Sequence, residues 1–139
     1  MKIISALVLV ALSVMTTSIA AGPDRPEAAA ESAARSWLAL VDAGSYAQSW
    51  TEASTLFRRG VPQPQWQAAI ANVRGPLGAL KSRDLRSATF TRSVPGAPDG
   101  EYVIVQFASS FEKKQSAIET VTPMKDADGT WRVSGYYVR

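Results

Sequence analysis

Apolar residues fall into three patterns along this chain, and each predicts a different kind of element. The first is nearly continuous. Lys2 precedes an apolar run from Ile3 to Met15, and Ser18-Ile19-Ala20 follows before Ala21-Gly22-Pro23. A charged start, a short apolar centre and a small-x-small end make up a secretory signal peptide. The run is too short to cross a hydrocarbon core ~30 Å thick, which takes about 20 helical residues. Residues 1–20 therefore read as a signal peptide cut after Ala20, 21–26 as a short linker and 27–139 as a single domain. The expected location is the periplasm or the medium.

The second pattern has helical spacing. Ala30, Ala33, Ala34, Trp37, Leu38 and Val41 share one face, with Glu31 and Arg35 as an i,i+4 pair on the wet side. Asp24-Arg25-Pro26-Glu27 is its start: Asp24 caps, and Pro26 sits in the first turn, where its missing N–H costs nothing. Gly44 ends it. Ser45 opens a second, short helix with Gln48 at the capping-box position and Tyr46, Trp50 and Ala53 on one face, fading near Thr55. Phe57 to Pro62 reads as a connector. Gln63-Pro64 opens a third helix with Trp66, Ile70 and Val73 as its stripe and Gly75-Pro76 as its stop.

The third pattern alternates. Leu80 to Val94 is a half-buried strand, Pro95 to Gly100 a loop, and Glu101 to Phe111 the strongest strand. Gln115 to Met124 is another, with Ala117, Glu119 and Val121 on one face and Ile118 and Thr120 on the other. Asp126-Ala127-Asp128-Gly129 turns a hairpin into the last strand, Thr130 to Val138. Three helices followed by four sequential strands predict an α+β domain, helices on one face of an antiparallel meander.

Composition removes several chemistries. The chain has no cysteine and no histidine. A Ser-His dyad, a thiol nucleophile and an ordinary zinc or copper site are therefore excluded, as is a cysteine-linked lipid anchor. No cofactor and no metal is expected, and the fold must hold without disulfides. The formal charge is +3, with 15 basic and 12 acidic residues. Only Arg58-Arg59 and Lys113-Lys114 are adjacent basic pairs. That scatter lacks the basic stripe a nucleic-acid partner calls for.

Several runs carry a resemblance: Ala34 to Gly44 (Ala-Arg-Ser-Trp-Leu-Ala-Leu-Val-Asp-Ala-Gly) with Tyr46 and Ser49-Trp50, then Arg74-Gly75-Pro76-Leu77-Gly78. Pro95 to Val103 and the end Gly129-Thr130-Trp131-Arg132-Val133-Ser134-Gly135-Tyr136-Tyr137 complete it. Together they resemble a bacterial family of small exported proteins, domain of unknown function 4019. The resemblance implies no activity and carries over no catalytic residue. The order of elements is also similar to the cone-shaped fold of nuclear transport factor 2-like, SnoaL-like and cystatin-like proteins. There, helices cover a curved sheet and leave a pocket at the open end.

The candidate sites follow. Trp37, Trp50, Trp66 and Trp131 with Tyr102, Tyr136 and Tyr137 either fill the core or line a pocket. Tyr136 and Tyr137 are adjacent on a strand, so at most one looks inward. Glu119 is either an ion-paired strand residue, with Arg74 or Arg132 as partner, or a buried carboxylate available as base or ligand contact. Gln106 is the other polar residue that could point inward. The Asp126–Gly129 run reads as a turn, since a calcium loop needs more oxygen ligands and a downstream Glu. Two functions remain. In the first, a non-catalytic domain binds a small apolar or amphipathic molecule between helices and sheet, lined by Trp37, Trp66, Gln106, Glu119 and Tyr137. In the second, the outer sheet face or an edge strand meets a protein partner or a second copy as a homodimer. An acid/base enzyme is a distant third and requires a shifted Glu119 or Asp84 inside a pocket.

Overall fold

The computed structural model describes residues 25–139. The expected signal peptide, its expected cleavage point and Asp24 lie outside the described residues. Helix α1 spans Pro26–Asp42, with Pro26 in its first turn as its fixed φ favours. The cap position is Arg25, one residue later than expected, and its side chain makes no capping bond. The other end is a full Schellman closure. Gly44 takes φ 76°, its N–H donates to the Val41 carbonyl at 3.0 Å, and Ser45 N–H reaches the Leu40 carbonyl at 2.8 Å.

Helix α2 is Tyr46–Thr51. Ser45 precedes it, but its side chain makes no capping bond, and Gln48 donates to Glu52 instead at 3.2 Å. The expected connector is in part a third helix, α3, Thr55–Gly60. The Ser54 hydroxyl caps it by accepting from Phe57 N–H at 3.1 Å, and Arg58 and Arg59 face the negative end of its dipole. Helix α4 is Gln63–Arg74, followed by a 3-10 turn over Gly75–Leu77. Its buried stripe is Trp66, Ile70 and Arg74, not Val73, which is 43% exposed.

Strands β1 (Leu80–Thr91), β2 (Tyr102–Phe111), β3 (Lys114–Lys125) and β4 (Trp131–Val138) form an antiparallel sheet in the order β1-β2-β3-β4. The domain is thus α+β, with four helices rather than three. Period-2 geometry turns Val103, Val105, Phe107 and Ser109 of β2 and Ala117, Glu119 and Val121 of β3 toward the helices. Of these, Val103, Val105, Phe107 and Val121 meet Ala34, Trp37, Leu38 and Val41 of α1 and Trp66 and Ile70 of α4 in one core. The Trp37 ring sits 5.9 Å from Trp66 and 5.5 Å, edge-on, from Tyr136. Each fully buried Val, Leu, Ile or Phe contributes about 1.5–3 kcal/mol, which is how a domain without cysteine holds. On the opposite face the 95–100 loop folds over one end of the sheet, where Tyr102 donates its hydroxyl proton to the Pro98 carbonyl at 2.6 Å.

Both sheet edges are guarded. Strand β1 carries two register irregularities and the charges of Lys81, Asp84 and Arg86. Strand β4 gives its Val133 carbonyl to the Ser54 N–H at 2.8 Å. Bulges, edge charges and capped carbonyls all discourage edge-to-edge pairing.

Candidate functional site

Strand parity carries Glu119 to the helix side of the sheet, where it is wholly buried. An isolated carboxylate there would be strongly disfavoured, so its partners decide its chemistry. The Arg83 guanidinium, from β1, donates from Nε to Glu119 Oε1 at 2.7 Å and from Nη2 to Oε2 at 3.1 Å. Ser109 donates to Oε1 and Tyr136 to Oε2, each at 2.5 Å. A carboxylate offers about four acceptor positions, and all four are taken. Arg83 is the partner, in place of the expected Arg74 or Arg132.

The cluster continues toward the helices. Arg83 also grips Asp42, at the end of α1, with bonds of 2.7 and 3.0 Å. Arg74, at the end of α4, donates to the same carboxylate at 2.8 Å and stacks over the Phe111 ring at 4.8 Å. Its Nε and Nη1 are buried without a hydrogen-bond acceptor, and the aromatic face takes up part of that positive charge. Two guanidiniums and two carboxylates balance to zero. Burial alone would push Asp42 up, but the hydrogen bonds from Arg83 and Arg74 outweigh it and hold its pKa below the usual carboxylate value. Burial, with the Glu119 carboxylate beside it, pushes the Tyr136 hydroxyl far above its ordinary value. Such a node, with Ser109 on β2 and Tyr136 on β4, locks six elements together. It leaves no lone pair of Glu119 free for a substrate.

Of the five residues singled out from the sequence, Trp66 and Tyr137 meet at one cleft, and the other three lie elsewhere. Trp37 is core, donating its indole N–H to the Ser49 carbonyl at 2.8 Å. Trp66 donates to the Ser49 hydroxyl at 3.0 Å, and its edge reaches an apolar cleft between α4 and β4. That cleft encloses about 240 Å³, with Ile70, Val73, Tyr136, Tyr137 and Val138 among its walls. Gln106 does not point inward; it lies on the outer face and donates to Thr120 at 3.3 Å. Tyr137 also faces outward, 54% exposed, while Tyr136 takes the inner position. Asp84 is exposed, not in a pocket. Asp126 and Asp128 are turn residues as expected, occupied by Thr55 and Arg132.

The outer face has a character of its own. Between the 95–100 loop and the far end of the sheet, β2 and β3 turn Ile104, Gln106, Ala108, Ile118 and Thr122 outward, around a buried Thr120. None of these is charged, in a chain with 19% charged residues. Depletion of charge at the centre of a patch marks protein interfaces more reliably than bulk hydrophobicity does.

A family model described as a protein of unknown function (DUF4019) matches residues 33–136. The chain belongs to this family. The match runs from α1 to Tyr136 and so takes in the whole buried cluster and all of the sheet but the end of β4. A comparison with the curated proteins finds no match. Asp42, Ser109 and Arg83 are the members of the cluster that sequence reasoning missed. Strand parity, once the β1/β2 register was in hand, would have placed Arg83 beside Ser109 on the inner face.

Proposed function

We propose that this DUF4019 domain is an exported, non-catalytic interaction module whose working surface is the outer face of the sheet. The observation that carries the reading is the uncharged centre of that face, on a sheet whose two edges are guarded. The interior argues the same way, because the one wholly buried carboxylate among the described residues is already saturated. A photo-cross-linking residue at Ile118 or Ala108 is expected to trap a protein in the cell envelope, whereas one at exposed Ala68 of α4 traps none. Equal trapping at all three positions, or none at any, refutes the reading. Export is checked on the same material, since intact-mass measurement should give a chain beginning at Ala21.

A second reading rests on the α4/β4 cleft. Its apolar walls suit a small apolar molecule or the apolar end of an amphipathic one, with Trp66 as a built-in reporter. Titration with a naphthalene-type dye should shift the tryptophan emission, and Val73→Glu should abolish the shift. A dye response unchanged by Val73→Glu rules the cleft out.

A further inference from the structure

We infer that the open edge of β4, with the α4/β4 cleft beside it, takes an extended peptide as a fifth strand, apolar on one face and acidic on the other. The inference rests on the cleft reading above and names its occupant; it does not depend on the outer face. Strand β4 ends the sheet, so β3 alone pairs with it. Ile118 exchanges both backbone hydrogen bonds with Arg139, at 2.9 and 3.1 Å. Opposed residues of an antiparallel pair alternate between bonded and unbonded. From that exchange the register runs Glu119 to Val138, Thr120 to Tyr137 and Val121 to Tyr136. Tyr137 therefore bonds to β3, whereas Tyr136 and Val138 turn their N–H and C=O groups away from it. The Ser54 bond at Val133 guards the start of the strand and stops short of these two residues. No other backbone group among the described residues bonds them from the far side. Such an edge is a template for another strand.

The cleft opens along the same stretch, Tyr136 to Val138, with Trp66, Ile70 and Val73 of α4 facing it. A strand added to β4 alternates its side chains, one set toward α4 and the next toward the outer face. The inner set meets apolar walls. Val73 and Tyr137, on the rims of this cleft, are two of the three large apolar residues that stand exposed among the described residues. The volume of about 240 Å³ lies below the ~300–1,000 Å³ of sites that enclose a whole small molecule, and so suits apolar side chains. In strand addition, main-chain bonds give the affinity and such pockets for alternate side chains give the specificity.

Charge selects the outer set. Arg139 stands two residues after Tyr137, on the same face, exposed and without an ion pair among the described residues. Residues 53–83, which supply α4, contain no acid, and neither do residues 129–139, which supply β4. An acidic segment therefore meets attraction at Arg139 and no like charge on either wall, whereas a basic one meets Arg139 as a like charge. The contact is small, a few residues against one edge, and belongs among weak, reversible encounters.

The test titrates the mature chain with a short capped peptide of alternating Glu and Leu, and with a control in which Lys replaces Glu. Amide hydrogen exchange, read residue by residue by NMR, is the signature. Near saturation the Tyr136 and Val138 amides should exchange about tenfold more slowly, while the Tyr137 amide, already bonded to β3, changes little. Val73→Glu sets a charge in the apolar cleft and should weaken the peptide about tenfold or more. Arg139→Glu should weaken the acidic peptide about threefold and favour the Lys control. Both positions are exposed, so both variants should fold as the parent does. Peptide binding that leaves Tyr136 and Val138 exchange unchanged overturns strand addition. Equal binding of the Glu and Lys peptides overturns the acidic class. A naphthalene-type dye that binds, is lost with Val73→Glu and is not displaced by the peptide overturns the inference and leaves the cleft reading standing. Binding of neither dye nor peptide ends both.

Discussion

Glu119→Gln is the most exacting perturbation of this fold, because it changes the charge and scarcely the shape. The native carboxylate accepts four hydrogen bonds, two from Arg83 and one each from Ser109 and Tyr136. The amide keeps one acceptor oxygen and presents an NH₂ where two donors already point. Arg83 retains Asp42 but faces a site with no compensating charge on the β3 side. Removing one partner of a buried ion pair costs about 3–5 kcal/mol, and Glu119 is wholly buried, so solvent screening gives little relief. An unfolding entropy of ~2.1 cal/mol/K per residue over about 115 residues gives roughly 0.24 kcal/mol/K. The melting temperature should therefore fall by roughly 12–20 °C. Thermal unfolding followed by circular dichroism measures it, with urea unfolding as a check that the denaturant slope is unchanged. A fall of less than about 3 °C would mean that water reaches the carboxylate, and the account of a dry, saturated node would be wrong.

Four further outcomes follow from the same geometry. Asp42 has a depressed pKa in the folded chain, so its contribution is full above its ordinary value of 3.8 and is lost as the pH falls below it. Asp42→Asn should weaken the domain at neutral pH and flatten the acid limb of stability against pH; an unchanged limb contradicts the cluster. Tyr136 has a raised pKa, so stability should decline as the pH climbs past 10.0, where an unfolded tyrosine ionises, and Tyr136→Phe should shrink that alkaline loss. Ser54→Ala removes the α3 cap and should cost about 1 kcal/mol, read as a lower urea midpoint. Gly44→Ala meets no atom within 4 Å, so its cost of about 1–2 kcal/mol comes from φ 76° alone. A loss much larger than that would point to a contact the geometry lacks.

What was legible in the sequence was local. The α1 stripe, the hairpin at Asp126–Gly129 and the four strands follow from spacing and turn residues. Six-residue α3 was not, because so short a helix barely repeats; its one clear sign was Ser54 ahead of Arg58 and Arg59. On α4 the spacing 66, 70, 74 was visible, yet the apolar Val73 was the natural reading. Arg74 takes the inner place because Asp42 and Phe111 are there to receive it. Gln106 could have been placed by parity alone, since Val103, Val105 and Phe107 are the inward residues of the same strand. Glu119's partner could not: Arg83 lies 36 residues earlier, and only the register of a folded sheet brings the two together.

The charge-balanced cluster also bears on how this domain can change over generations. Asp42, Arg74, Arg83 and Glu119 sit on α1, α4, β1 and β3, and each is answerable to the next. Loss of any one strands a buried charge, whereas exchange of all four for apolar residues of matching volume would cost little or even stabilise. The low-energy alternative therefore lies across a barrier that single substitutions cannot cross. A lineage that acquired this knot early is held to it by history rather than by optimality. Where a descendant has escaped, two or more of the four positions should have changed together.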